Sequence, residues 1–459
     1  MSSAPSGRSG ILGLIGNTPM IELKGFDTGL CELFIKLENQ NPGGSIKDRI
    51  GLSMIEDAEH AHRIRPGDTL VEATAGNTGL GLALVAAQKG YRLRLVIPDK
   101  MSLEKISHLR ALGAEIVMTR SDVCKGHRDY YQDLAQRLAL ESGAYYVNQF
   151  ENPANPLAHE VGTAPEIWSA LGGRVDAIVC GVGSGGTLTG ISRYFERTAP
   201  HVEMVLADPE GSILAEYVRT GKVVAPGGSW LIEGIGEDFI PSIADLSRVR
   251  HAFTVSDEES FLTARALLRT SGILAGSSSG TLVAAALRYC RAQTSAKRVV
   301  TFVCDSGNKY LSKMFSDYWM RDQGFLGRSG PGGLRELISR SSDAGAVIAV
   351  APDDSLLVAY GRLRLYDVSQ LPVLDDGRIV GMLDESDLLI AATRDADAFK
   401  EPVRTVMTRK LVTLQVTASI EQLLPVFDLG MVAIVVDGER FLGLVTRIDL
   451  LNYLRRRVA

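Results

Sequence analysis

The stretch Asn41-Pro42-Gly43-Gly44-Ser45-Ile46-Lys47-Asp48-Arg49 carries one lysine from a glycine-rich turn to the start of an apolar-periodic helix. A cation at a helix N-terminus opposes the macrodipole, so this position suits a neutral or covalently modified amine better than a surface ammonium. Taken alone, the segment equally describes a helix-entry loop followed by an ordinary surface lysine. Two further loops of the same style stand after β-rich runs and before helical ones, Thr74-Ala75-Gly76-Asn77-Thr78-Gly79 and Gly181-Val182-Gly183-Ser184-Gly185-Gly186-Thr187. A fourth is Gly276-Ser277-Ser278-Ser279-Gly280. Clustered backbone N–H groups at a helix start can cradle a phosphate, with glycines allowing close approach and the helix dipole favouring the dianion. A helix-entry turn needs glycine as well, so the run from Gly183 to Thr187 does not by itself identify a phosphate site.

Together with Ile15-Gly16-Asn17-Thr18-Pro19 and Asn152-Pro153-Ala154-Asn155-Pro156, the four loops resemble the fold-type II pyridoxal-phosphate enzymes, specifically the cystathionine β-synthase and cysteine synthase branch. The resemblance covers roughly residues 10 to 325. It implies that Lys47 forms the Schiff base with pyridoxal 5'-phosphate. Once freed by substrate, its amine would take the α-proton and then protonate the departing β-group. The resemblance further implies that Gly183, Ser184, Gly185, Gly186 and Thr187 hold the cofactor phosphate, Asn77 meets the ring hydroxyl, and Ser278 faces the pyridine nitrogen. A neutral hydroxyl there does not keep a proton on the ring as a carboxylate would, so β-group expulsion competes well against transamination or racemisation. Read from the residues alone, Asn77 also suits a cap for the following helix, and Ser278 a cap for a helix starting near Thr281.

By the same carry-over, Thr74, Ala75, Asn77, Thr78 and Gln149 surround the substrate carboxylate, with Phe150 and Gly234 alongside. The branch usually has serine where Ala75 stands, so one hydroxyl is missing. Glu233 before Gly234-Ile235-Gly236 resembles the cystathionine synthases and adds a second expected catalytic residue. Phe150 points the other way, since those enzymes tend to have tyrosine there; Glu233 and the C-terminal module outweigh it. The implied reaction condenses L-serine and L-homocysteine to L-cystathionine and water, with hydrogen sulfide released when cysteine replaces serine. Two alternatives stay open: a cysteine synthase using O-acetylserine and sulfide, and a sensor in which the catalytic fold serves as a binding module. Haem-binding members carry Cys and His ligands in an extra N-terminal region; residues 1–10 contain neither, so no haem is expected.

Composition sets the frame for these loops. A chain of 459 residues exceeds one hydrophobic core, and 45% apolar with 22% charged residues is ordinary for globular proteins. A formal net charge of -5 gives no reason to expect nucleic acid or an anionic membrane as a partner. Five scattered cysteines without a CxxC pair argue against a disulfide framework or a zinc site, and suit a reducing cytoplasm. No metal site is expected, and His159 beside Asn155-Pro156 reads as a hydrogen-bonded structural residue. No signal peptide or long apolar span is apparent. The family resemblance implies a homodimer or higher homo-oligomer acting on small amino acids.

The elements that position the loops alternate strand and helix from Leu33 to about Phe315, with strand runs such as Thr69 to Glu72, Leu93 to Ile97, Ala177 to Cys180 and Arg298 to Val303. Continuous apolar strands alternating with helices predict an α/β core of two parallel-sheet subdomains, with the four loops at the carboxyl ends of strands. The expected domains are a catalytic domain over 1–325, a glycine-rich linker over 326–333 and a module over 334–459. In that module Leu371 to Leu388 repeats as Ile434 to Leu450, each reading strand, tight turn, strand, helix. The repeat resembles a tandem pair of CBS domains, each too small to bury a core alone, so the two should pack together. In such modules a threonine and an aspartate three residues later commonly hold an adenosyl ligand. Thr446 and Asp449 fit, whereas the first repeat offers Asp384 and Asp387, whose extra carboxylate repels phosphate. At most one adenosyl site is expected, for S-adenosylmethionine rather than ATP; the module equally suits a purely architectural role.

Overall fold

The computed structural model describes residues 10–458 except 75, 100, 102, 124–125, 225–226, 327–332, 339–341, 343–346 and 396. Most of the expected linker, and Ala75 among the expected substrate contacts, lie outside the described residues. Two compact units meet in sequence between Phe315 and Ser316, so the helix Asp317–Asp322 falls with the second.

Among the described residues the first unit contains two sheets. One runs Glu115–Thr119, Arg92–Pro98, Thr69–Ala73, Tyr145–Tyr146, all parallel. The other runs Met20–Glu22, Glu32–Leu37, Arg298–Val303, Ala177–Cys180, Glu203–Pro209, Val249–Val255. It is parallel except for its edge pair, where Met20 faces Lys36 in antiparallel register. Every residue of Ala177–Cys180 is buried, as a strand covered on both faces requires. The short antiparallel edge strand was not expected, because three residues carry almost no periodic signal.

Three of the four glycine loops extend from this framework at carboxyl ends of strands. The fourth does not. Gly276-Ser277-Ser278-Ser279-Gly280 follows the helix Asp257–Ser271, which stops at Gly272 with φ 69°, and opens the helix Ser277–Arg291 directly. A bridge between Ala275 and Ser306, Gly276 N–H donating to the Asp305 oxygen at 3.0 Å and Cys304 N–H donating to Ser279 Oγ at 2.9 Å tie that turn to the loop after the strand Arg298–Val303. The loop reaches the site through helix packing rather than strand direction.

Two helices set the lysine in place. Lys47–His60 packs on Asn77–Lys89 at a pair of glycines: a Cβ on Gly51 would lie 2.7 Å from the Gly81 carbonyl carbon, and one on Gly81 would lie 2.7 Å from the Lys47 carbonyl oxygen. Bare backbones therefore meet where the chemistry begins. Ile50, Met54, Leu80, Leu82 and Leu95 form the core beneath them.

In the second unit each repeat forms the expected hairpin and helix: Gln370–Asp375, Arg378–Asp384 and Glu385–Arg394, then Ala433–Asp437, Arg440–Val445 and Arg447–Val458. The repeat extends to an irregularity, since each register shift follows a residue opposite glycine, Val373 opposite Gly381 and Val435 opposite Gly443. The two hairpins share a core in which Met382 of the first meets Ile434, Val436 and Phe441 of the second. Packing of one repeat on the other is what their small size requires.

Candidate active site

Lys47 is the first residue of its helix, half-buried, and opens onto a cavity of about 570 Å³. The turn before it is closed by Asp48, whose Oδ2 accepts from Gly43 N–H at 2.5 Å; a Cβ on Gly43 would lie 2.6 Å from Asp48 Oδ1. Burial lowers the Lys47 pKa from the usual lysine range, and the nearby Cys304, Asp305 and Glu237 oppose that only in part. The amine is thereby biased toward the neutral form that a nucleophile or base needs.

The same cavity is lined by Gly183, Ser184, Gly185, Gly186 and Thr187. Gly185 has φ 90° and caps the helix Gly186–Thr198, whose first N–H groups have no intrahelical acceptor. Space is as restricted as conformation: a Cβ on Gly186 would lie 1.9 Å from Asn155 Oδ1, and one on Gly183 would lie 2.6 Å from the Gly234 oxygen. Asn155 Nδ2 donates to Ser184 Oγ at 2.9 Å. His159, fully buried, bridges Thr187 Oγ1 at 3.2 Å and Thr163 Oγ1 at 2.9 Å, the structural role expected of it. Burial, with Lys47 and Arg49 nearby, holds His159 well below the ordinary histidine range and so neutral. An amine of lowered pKa and a glycine-lined helix start facing one cavity form a donor set that fits pyridoxal phosphate.

Neither alternative cap is realised. The helix Asn77–Lys89 begins at Asn77 with Gly76 as its cap, and the helix Ser277–Arg291 takes Gly276, without a side-chain capping bond in either case. Asn77 instead turns to Asp305 and Lys309, at 2.7 and 2.9 Å. Ser278 is buried and lines the cavity beside Cys304, whose thiol burial pushes up to about 12. Both groups are neutral where the pyridine nitrogen is expected.

Thr74, Thr78, Gln149, Phe150 and Gly234 all line the cavity. Thr78 Oγ1 donates to Gln149 Oε1 at 2.7 Å, and Gln149 Nε2 donates to the Ala73 oxygen at 3.1 Å. Behind them Glu72 accepts from Gln149 N–H at 3.2 Å; burial raises its pKa to about 8. The Phe150 ring stands 5.7 Å from Phe239 and 6.5 Å from Tyr131, forming an aromatic wall.

Glu233 lies between two lysines that sequence reasoning passed over. Lys105 Nζ is 2.6 Å from its Oε2 and Lys313 Nζ 2.7 Å from its Oε1. Burial alone would raise the Glu233 pKa, but the two cations outweigh it and leave it lowered. Glu233 is therefore an ionised acceptor, not a proton donor. Lys105 also donates to Tyr310 Oη at 3.0 Å, and Tyr310 to Asp305 Oδ2 at 2.7 Å. No local signal marks these residues, because each partner arrives from another part of the chain.

In the second unit Thr446 and Asp449 line a separate cavity of about 300 Å³ with Tyr318, Ile348 and Asp367. Thr446 Oγ1 donates to Asp449 Oδ2 at 2.6 Å. Asp384 and Asp387 form a reciprocal capping box at the start of Glu385–Arg394 and do not line that cavity. Among the described residues no three His, Cys, Asp or Glu side chains form a metal site, and no helix is long and apolar enough to cross a membrane.

Residues 11–305 match the family model described as pyridoxal-phosphate dependent enzyme, and residues 337–394 and 403–456 each match the CBS domain. The chain is 36% identical to cystathionine beta-synthase of Dictyostelium discoideum, over 97% of its own length and 92% of that protein. Among solved structures it is similar to the O-acetylserine-dependent cystathionine beta-synthase of Helicobacter pylori, with TM-score 0.61 and 37% identity, covering 66% of this chain and 97% of that one. A hydrogen sulfide-producing enzyme of Fusobacterium nucleatum superposes with TM-score 0.60 at 35% identity, covering 68% of this chain and all 100% of that one.

Proposed function

This chain belongs to the cystathionine β-synthase family of pyridoxal-phosphate-dependent enzymes with tandem CBS domains, and we propose from that premise that it condenses L-serine with L-homocysteine to L-cystathionine and water. The observation that carries the reading is the convergence of Lys47, the glycine cradle and a carboxylate held between two lysines on one cavity of about 570 Å³. Pyridoxal 5'-phosphate, when bound, supplies an electron sink that acidifies the substrate α-C–H. Lys47 would hold it covalently, with Gly183 to Thr187 on its phosphate, Asn77 at its ring oxygen and Ser278 at its ring nitrogen. Displaced by the substrate amine, Lys47 as a neutral amine would take the α-proton and give a proton to the departing β-hydroxyl, which leaves as water; the homocysteine thiol would then bond to the β-carbon while its proton passes through Lys47 to the α-carbon. Thr74, Thr78 and Gln149 orient the substrate carboxylate.

Glu233, as an ionised acceptor, suits recognition of the homocysteine ammonium better than proton delivery to the serine hydroxyl. Cysteine in place of serine would release hydrogen sulfide by the same replacement. The reading includes pyridoxal phosphate as the prosthetic group without haem, a cytoplasmic location and a homodimer or higher homo-oligomer. At the C-terminal module it includes one adenosyl site at Thr446 and Asp449. Both Asp367 and Asp449 line that cavity, and no lysine or arginine is among its described lining residues, which favours S-adenosylmethionine over a phosphate-bearing ATP.

The test is a side-by-side assay of serine, O-acetylserine and cysteine, each with homocysteine and with sulfide, on the wild type and Lys47→Ala. Serine with homocysteine should give the largest kcat/KM for β-replacement, and Lys47→Ala should abolish turnover while keeping the wild-type circular dichroism. O-acetylserine with sulfide as the fastest pair would make the chain a cysteine synthase. Turnover surviving in Lys47→Ala would remove the lysine from its role. A protein that takes up cofactor but turns over no pair would instead be a ligand sensor.

A further inference from the structure

The two partners of Asn77 fix which way its amide faces. Lys309 Nζ can only donate, and it lies 2.9 Å from Asn77 Oδ1; Asp305 Oδ2, a carboxylate acceptor, lies 2.7 Å from Asn77 Nδ2. Turning the amide over would set the ammonium against N–H and the carboxylate against a carbonyl oxygen. Both charges are buried, Asp305 at 0% exposure and Lys309 at 7%. One Nδ2 hydrogen is thus given to Asp305, and the second remains on a side chain that lines the same cavity as Lys47.

The loop that carries these partners, just after the strand Arg298–Val303, also fastens the lysine turn. Ser45 forms a bridge with Asp305, Ile46 N–H donates to the Cys304 oxygen at 2.8 Å, and Ser306 N–H donates to the Gly44 oxygen at 3.1 Å. Lys309 Nζ reaches the same Gly44 oxygen at 3.2 Å. Gly276 completes the arrangement, since a Cβ there would lie 1.8 Å from Asp305 Oδ1. The loops bearing Lys47, Asn77 and Ser278 therefore converge on Asp305 and its neighbours.

We propose that Asp305 and Lys309 are positioning residues that orient the Asn77 amide so that its second Nδ2–H donates to the anionic ring oxygen of a pyridine cofactor, with the Lys309 cation at Oδ1 strengthening that donor. The proposal rests on the reading of Lys47 and Asn77 given above. A ring oxygen that loses this donor holds a proton more tightly, which moves the pH dependence of the bound cofactor's visible absorption and loosens its hold.

The experiment titrates purified apoprotein with pyridoxal 5'-phosphate, then follows the visible absorption of the bound form against pH. Lys309→Met should raise the cofactor dissociation constant about tenfold and move the spectral pH midpoint by about one unit. Lys309→Arg, which keeps a charged donor, should stay close to wild type. Asp305→Asn preserves shape but removes the obligate acceptor, and should move both readouts in the same direction by less. Asn77→Ala should reproduce the Lys309→Met change, and the double variant should add nothing to it. A folded Lys309→Met or Asp305→Asn with wild-type spectrum, pH midpoint and affinity overturns the proposal. So does an effect of Lys309→Met that adds in full to Asn77→Ala. A wild-type protein that takes up no cofactor overturns the underlying reading, and the proposal with it.

Discussion

At the scale of single residues, charge state separates the roles of the groups in the cavity. Glu233 is held ionised by Lys105 and Lys313, so its use is as an acceptor. Glu233→Gln should lower kcat/KM for cystathionine formation at least tenfold while leaving sulfide-dependent cysteine formation within about threefold, since sulfide has no ammonium to recognise. Equal losses in the two assays would remove the selective role. Glu72 is the opposite case, fully buried with a pKa raised from 4.5 to about 8. An acid whose pKa is higher folded than unfolded binds more protons in the folded state across that interval, so its contribution falls as pH rises from 4.5 through about 8. Glu72→Gln should flatten that slope and gain on the order of 2 kcal/mol relative to wild type at pH 9. Urea unfolding at pH 6 and pH 9 measures this, and parallel curves for the two proteins would show that the carboxyl is not the source.

At the scale of elements, the site depends on backbones brought closer than side chains allow. Gly81 presses the helix Asn77–Lys89 against the start of the helix Lys47–His60, with a Cβ at that position 2.7 Å from the Lys47 oxygen. Gly81→Ala should therefore destabilise by about 1–3 kcal/mol through overpacking and, unlike an equally destabilising change elsewhere, weaken cofactor binding. Urea unfolding together with cofactor titration tests it; lost stability with unchanged cofactor affinity would show that the lysine does not feel this packing. The glycine loops were legible in sequence because turn chemistry is local. The fourth was placed after a strand only because its three companions are; in the structure it follows the helix Asp257–Ser271.

At the scale of the whole molecule, the chain joins a catalytic unit to a pair of repeats with its own cavity. Calorimetry on the intact protein should give one S-adenosylmethionine site per chain, no heat with ATP, and at least tenfold weaker S-adenosylmethionine binding for Asp449→Asn. At a ligand concentration of 100 Kd the bound state gains about 2.7 kcal/mol, visible as a raised thermal transition. No heat with S-adenosylmethionine, AMP or ATP would leave the repeats architectural. By itself the sequence determined the α/β class, the repeats, the lysine turn and the places of the glycine loops, because glycine turns, hairpins and apolar periodicity are written within a few neighbouring residues. Only the tertiary structure decided what surrounds them. Lys105 meets Glu233 across 128 residues of chain and Asn77 meets Asp305 across 228. Such pairings arise when two sheets and the loops at their strand ends close on one cavity, and burial then sets their charge; neither separation nor desolvation leaves a mark on the residues near either partner.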